Sequence, residues 1–244
     1  MRGSSIAVAA LFALGVAGQV ALRATRPLDT PLMVDGASAV LGGFRSLAVE
    51  VVWFRADRLQ EEGHFVELAQ LAHMLTMLEP HTPEVWSYAA WNLAYNVSLM
   101  MPTLEDRWRW VLTSMRLLRE EGLRLNPGDP ELCRQLALLF QLKIGLDRLD
   151  DASHIYRRKW HAIAVDVKAR GAWGELGMDA SHMAEIERQY GVRDWTDPFA
   201  SALYWAVEGL RRADESQRPF LNEIVRQAAM EVSKPSHSFA ERPV

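Results

Sequence analysis

Three acidic pairs, two sets of histidines and acids at helical spacing, and one basic run flanked by aromatics are the places where chemistry-bearing side chains lie close in this sequence. The pairs are Glu61-Glu62, Glu120-Glu121 and Asp150-Asp151. General acid–base work needs two carboxylates aimed at one point. Adjacent residues on a helix point in different directions, so the pairs read as solvated helix ends. The metal-like spacings are Asp150…His154…His161 and His182-x-x-Glu185. A metal needs three or four convergent ligands and contacts that orient them. Neither set supplies these, so no metal and no cofactor is expected. Arg157-Arg158-Lys159 lies between Tyr156 and Trp160. Such a run can hold single-stranded nucleic acid or a membrane surface, but three charges are few. The plainer expectation is a solvated face with core aromatics behind it. The single cysteine, Cys133, can form no internal disulfide and reads as a small buried hydrophobe. The sequence holds no phosphate loop, dinucleotide-binding glycine motif, GxSxG or HExxH. A net charge of -4 lacks the basic excess that phosphate binding requires, so no nucleic-acid partner is expected. What remains is a binding protein, not an enzyme.

Binding residues need elements to carry them. The 244 residues are 49% hydrophobic, enough to bury a sizeable core. Strand-like alternation is missing, and helical periodicity runs almost throughout. Gly63, Pro80, Pro102, Gly122, Pro127, Gly145, Gly171, Gly191 and Pro198 are read as helix ends, and Gly42-Gly43 as a helix break. The expectation is an all-α domain over 41–234 with about eight or nine antiparallel helices. It follows a linker over 27–40 and precedes a disordered tail over 235–244.

The helices are expected to repeat in pairs. Helix A of a first unit covers Leu47 to Glu62, Gly63 turns the chain, and helix B runs from Val66 to Leu78. Pro83 opens a second unit, with Trp86 as its large aromatic and Ala89-Ala90 at close-packing positions. Residues 100–103 form an insertion. Asp129-Pro130-Glu131 opens a third, with Leu136-Ala137 and Phe140 in the same roles and a second helix over Asp150 to Ala169. The phrases Trp53 to Gly63, Leu78-Glu79-Pro80, Val85-Trp86, Trp91 to Asn96, Asp194-Trp195 and Ala202 to Ala206 resemble a group of bacterial tetratricopeptide-repeat (TPR-like) proteins. In that group one N-terminal hydrophobic segment precedes an α-solenoid of helix pairs. The resemblance implies binding or scaffolding, and it brings no catalytic motif and no named partner.

In stacked pairs the A helices line a concave groove. By that phase the partner-binding residues are Trp53, Asp57 and Gln60 of the first unit, Trp91, Asn92, Tyr95 and Asn96 of the second, and Arg134 and Gln141 of the third. Ala94 and Leu138 complete the lining. Aromatic anchors with arginine and amide donors suit a peptide or helix groove. Trp86 and Trp91 lie about 140° apart around one helix, so they cannot enter the same core layer.

Residues 1–26 form the expected membrane anchor. Ile6, Leu11, Phe12, Leu14, Val16, Val20 and Leu22 lie in an uncharged run long enough to cross a bilayer. A cleaved export signal is the alternative. Arg2 on one side nearly balances Arg23 and Arg26 on the other, so flanking charge does not fix the orientation. The export-like shape places the domain on the periplasmic side of a bacterial inner membrane. The expected partners are the lipid bilayer and other proteins of a membrane complex. Two roles follow: a tethered interaction scaffold, or an accessory subunit embedded in a larger assembly. Ala9, Ala13 and Ala17 at four-residue spacing would suit close helix contact in the second role.

Overall fold

In a computed structural model, residues 36–146, 152–192 and 194–233 are described, with side chains from residue 49 onward. The described residues are helical and contain no strand. The anchor residues Ile6 to Leu22, the tail 235–244 and the pair Asp150-Asp151 lie outside them. The chain divides into two compact units, 1–48 and 49–244. Of the first, the described part is helical from Gly36. Residues 36–40 are helical, and the helix continues through Gly42-Gly43. Among the described residues, no helix is long and apolar enough to cross a membrane.

Nine helices are described. They are α1 (Gly36–Glu62), α2 (Phe65–Leu78), α3 (83–100), α4 (104–125), α5 (130–145), α6 (Ser153–Arg170), α7 (Ala180–Tyr190), α8 (Pro198–Leu210) and α9 (Arg218–Ser233). Gly63 adopts φ 75°, which lets its N–H and that of His64 return to the carbonyls of Gln60 (3.2 Å) and Leu59 (2.8 Å). Proline opens α3, α5 and α8 at the position where a missing N–H costs nothing. Pro198 thus starts a helix instead of ending one. Asp129, Asp179 and Asp197 cap α5, α7 and α8 by accepting backbone N–H groups, and Thr103 caps α4.

Three helices widen into π turns, at Leu93–Val97 in α3, Leu117–Gly122 in α4 and Leu139–Gly145 in α5. A π turn takes in an extra residue, so every later side chain is rotated from where a straight helix would put it. Gly122 lies inside such a turn and does not end α4. A Cβ there would stand 3.3 Å from Leu132 and 3.5 Å from Trp86, so the glycine permits close approach of α3, α4 and α5.

In the second unit α2 packs on α3, α3 on α4 and α5, α4 on α6, and α5 on α6 and α8. Helix α9 lies on α8 and reaches α5. The expected core positions Trp86, Ala89, Ala90, Leu136, Ala137 and Phe140 are all buried. Tyr156 and Trp160 point into the same core, where Trp160 meets Phe140 edge-on at 4.6 Å and Tyr156 stacks on Trp108 at 6.0 Å. Arg157 departs from the solvated-face expectation. It is buried and donates to the Gly145 carbonyl at 2.8 Å, sealing the end of α5.

Gly145 also tests the close approach of α5 and α8. A Cβ there would stand 2.8 Å from Phe199 Cζ and 3.0 Å from the Phe140 carbonyl oxygen. Gly145→Ala should lower stability by about 1–3 kcal/mol, read as a lower urea midpoint with an unchanged slope. An unchanged midpoint would mean the two helices are not in contact there.

Candidate functional site

The residues expected to bind a partner separate into three groups. The first forms around Tyr88, on α3. Its ring lies 5.2 Å from Trp53, on α1, and its hydroxyl donates to Gln60 Oε1 at 2.9 Å. Asp57 stands close enough that its charge, added to burial, pushes the Tyr88 phenol above its ordinary range. Burial, helped by Glu61, raises the Asp57 carboxyl as well. Trp53, Asp57 and Gln60 therefore gather around Tyr88, a residue that sequence phase does not select. Tyr88 sits three residues before Trp91 and was legible as a neighbour on the same face.

The second group is Trp91 and Tyr95. Their rings stack at 6.0 Å and 26°, both half-buried. Behind Tyr95 stands Lys143, 1% exposed, with its ammonium 5.2 Å from the Tyr95 ring centre and 5.5 Å from that of Tyr156. Two aromatic faces around one buried ammonium stabilise it by cation–π attraction. Trp91, Tyr95, Lys143, Tyr156 and Trp108 thus form a ladder running from the surface into the core.

The third group leaves the groove. Asn92 is fully buried and donates to the Phe65 carbonyl at 3.3 Å, tying α3 to α2. Asn96 donates to Asn92 Oδ1 at 2.9 Å. These amides hold helices together, because a buried polar group must be paired within the fold. Gln141 is 2% exposed and donates to Gln227 Oε1, on α9, at 2.6 Å. Helix α9 covers the α5 face that sequence phase had assigned to the groove. Arg134 is half-buried and grips Glu131 with two hydrogen bonds, 2.9 and 2.5 Å long. Its guanidinium is engaged one turn earlier on its own helix. Ala94 is buried in the core and Leu138 packs against it.

Several large apolar side chains remain on the surface. Near Trp53 and Trp91 in the chain, Phe54 is 73% exposed, and Met74 and Met77 stand out from α2. On α2 the buried face carries Leu68, Ala72 and Leu75, and Met74 and Met77 project away from it. Among the described residues, no group of three or more His, Cys, Asp or Glu side chains is placed to hold a metal. In comparison with known proteins, the chain matches no family model, no curated protein and no solved structure.

The Tyr88 contact gives two linked expectations. Tyr88→Phe should lower stability by about 1 kcal/mol through loss of the bond to Gln60. Because the folded protein holds the phenolic proton more tightly, stability is intact below the ordinary phenol pKa of 10.0 and falls as pH rises above it. Alkaline unfolding followed by fluorescence should therefore steepen above that value in the native chain and less so in Tyr88→Phe. Identical alkaline profiles would place Tyr88 in contact with solvent.

Proposed function

We propose that this chain is a membrane-tethered, TPR-like scaffold that engages another protein through the aromatic face of α1 and α3. The observation that carries this is Trp91. It stays half-exposed in a helix whose neighbouring positions Ala89, Ala90 and Asn92 are buried. A stacked, half-exposed Trp–Tyr pair is an anchor of low conformational-entropy cost, the kind of residue that dominates protein interfaces. The serial packing of α2, α3, α5 and α8 supports a solenoid-like arrangement, in which each helix pair completes its core on the next. The role is binding, not catalysis. Residues 1–26 supply the anchor, and the helical domain stands on the periplasmic side of a bacterial inner membrane.

The exposed apolar set favours a second reading, an accessory subunit held permanently in a larger complex. Val51, Phe54 and Met77 are mostly exposed, and Val66 and Met74 are partly so. Permanent interfaces are richer in such residues than transient ones.

The test is affinity purification of the tagged full chain from membranes, followed by quantitative mass spectrometry. In a scaffold, Trp91→Ala should weaken capture of its partner by about 2 kcal/mol, or about thirtyfold, with little change in melting temperature. By contrast, Trp160→Ala, deep in the core, should destabilise the fold by about 3–5 kcal/mol. A partner that survives high salt and is retained by Trp91→Ala would favour the embedded subunit. Equal recoveries of every protein by the native chain and Trp91→Ala, with no salt-resistant partner, would contradict both readings. A soluble product lacking the first residues by intact mass would remove the anchor.

A further inference from the structure

Away from the aromatic face, the end of α4 and the start of α7 meet α8 around a cleft of about 400 Å³. That is the size of small-molecule sites, which run from about 300 to 1,000 Å³. Trp205, Leu123 and Pro127 give it apolar walls, and Arg119, Arg124 and Arg211 face it together with Asp179 and Glu208. Most of these charges are already engaged. Arg119 pairs with Glu120 at 2.6 Å and Arg211 with Glu208 at 3.1 Å. Asp179 caps α7 by accepting the His182 N–H at 2.9 Å, and Ser181 donates to it as well. Arg124 is different: it is exposed and makes no ion pair or hydrogen bond among the described residues.

The cleft also holds a polar atom without a hydrogen bond. His182 is 8% exposed. Its Nδ1 lies 3.3 Å from Glu185, while Nε2 is 3.4 Å from Glu208 but meets no partner in hydrogen-bonding geometry. The Glu208 contact thus leaves this buried ring nitrogen without a hydrogen bond, which is costly unless something else satisfies it. Two other groups on the cleft stay neutral. Burial pushes the Cys133 thiol up, and burial also raises the Tyr204 phenol, which accepts the Asp179 N–H at 2.8 Å. Cys133 is therefore no nucleophile here, since the thiolate is the reactive form.

We infer that this cleft binds a small organic anion, with a phosphate or carboxylate group between Arg124 and His182 and a compact apolar body against Trp205 and Leu123. An uncommitted guanidinium offers a forked donor that matches either acid group. The cleft is separate from the Trp91 face, so the inference does not rest on the scaffold role.

The test uses the full chain titrated with phenyl phosphate, benzoate and inorganic phosphate, read by calorimetry and tryptophan fluorescence. Saturable binding of phenyl phosphate or benzoate is expected, with inorganic phosphate weaker because it leaves the apolar walls uncovered. Arg124→Gln should weaken that binding about tenfold without moving the melting temperature, as expected for an exposed side chain. His182→Gln should weaken it too. Phenyl phosphate exceeding benzoate would assign a phosphate ligand, and the reverse order a carboxylate. Absence of saturable binding by all three probes would overturn the inference. So would wild-type affinity in Arg124→Gln, or inorganic phosphate binding as tightly as phenyl phosphate.

Discussion

Helix α5 must be approached closely by its neighbours on several sides at once, and the rest of the second unit depends on that contact. The backbone of α8 comes so near that a Cβ on Gly209 would stand 3.0 Å from the Cβ of Cys133. Ala137 on α5 and Ala200, Ala202 and Ala206 on α8 are buried without exposed surface. Small residues let two helix axes approach, and large ones such as Phe140, Trp86 and Trp160 fill the gaps that remain. Dense packing of this kind gains many weak dispersion contacts, and it tolerates added volume poorly.

The same burial dictates how polar groups on and near α5 are handled. Lys143 lies between two tyrosine rings, Gln141 bonds to α9, and Arg157 donates to the Gly145 carbonyl at the end of the helix. Each of these groups would be costly if left unpaired, so each fixes the placement of a neighbouring helix. At the other end of the stack, the Pro80 carbonyl accepts from both Trp86 Nε1 and Asn126 Nδ2, each at 2.9 Å. The turn after α2 is thereby stitched to the end of α4. Outside the interior closed this way lie half-buried Trp53, packed on buried Tyr88, the half-buried pair Trp91–Tyr95, and the arginine-lined cleft beside α8.

Much of the helix order was legible because proline and glycine act locally. Gly63, Pro80, Pro83, Pro127 and the Asp129-Pro130 pair end or open helices through their own backbone constraints, wherever the rest of the chain lies. Trp86, Ala89-Ala90, Leu136-Ala137 and Phe140 were legible as core because their spacing keeps one face. Gly122 misled because a glycine that allows close approach and one that ends a helix look the same in sequence. The groove was only partly legible. Its phase assumed straight helices, and the π turns in α3 and α5 rotate the residues that follow. Gln141, inside the turn of α5, meets α9, while Asn92 lies just before the turn of α3 and bonds to α2 because its side chain faces that helix. That α9 would cover α5 depends on contacts more than eighty residues apart, such as Gln141 with Gln227, which no local pattern encodes.

Native-state hydrogen exchange by residue tests most directly whether α5 is the element around which the other helices close. Amides protected by global unfolding exchange at the free energy of unfolding itself, while lightly packed elements open locally and exchange sooner. The α5 amides should be the slowest in the protein and should match the stability measured by urea, with α1 amides exchanging through a smaller opening. Amides of α5 that exchange as fast as those of α1 would contradict this account.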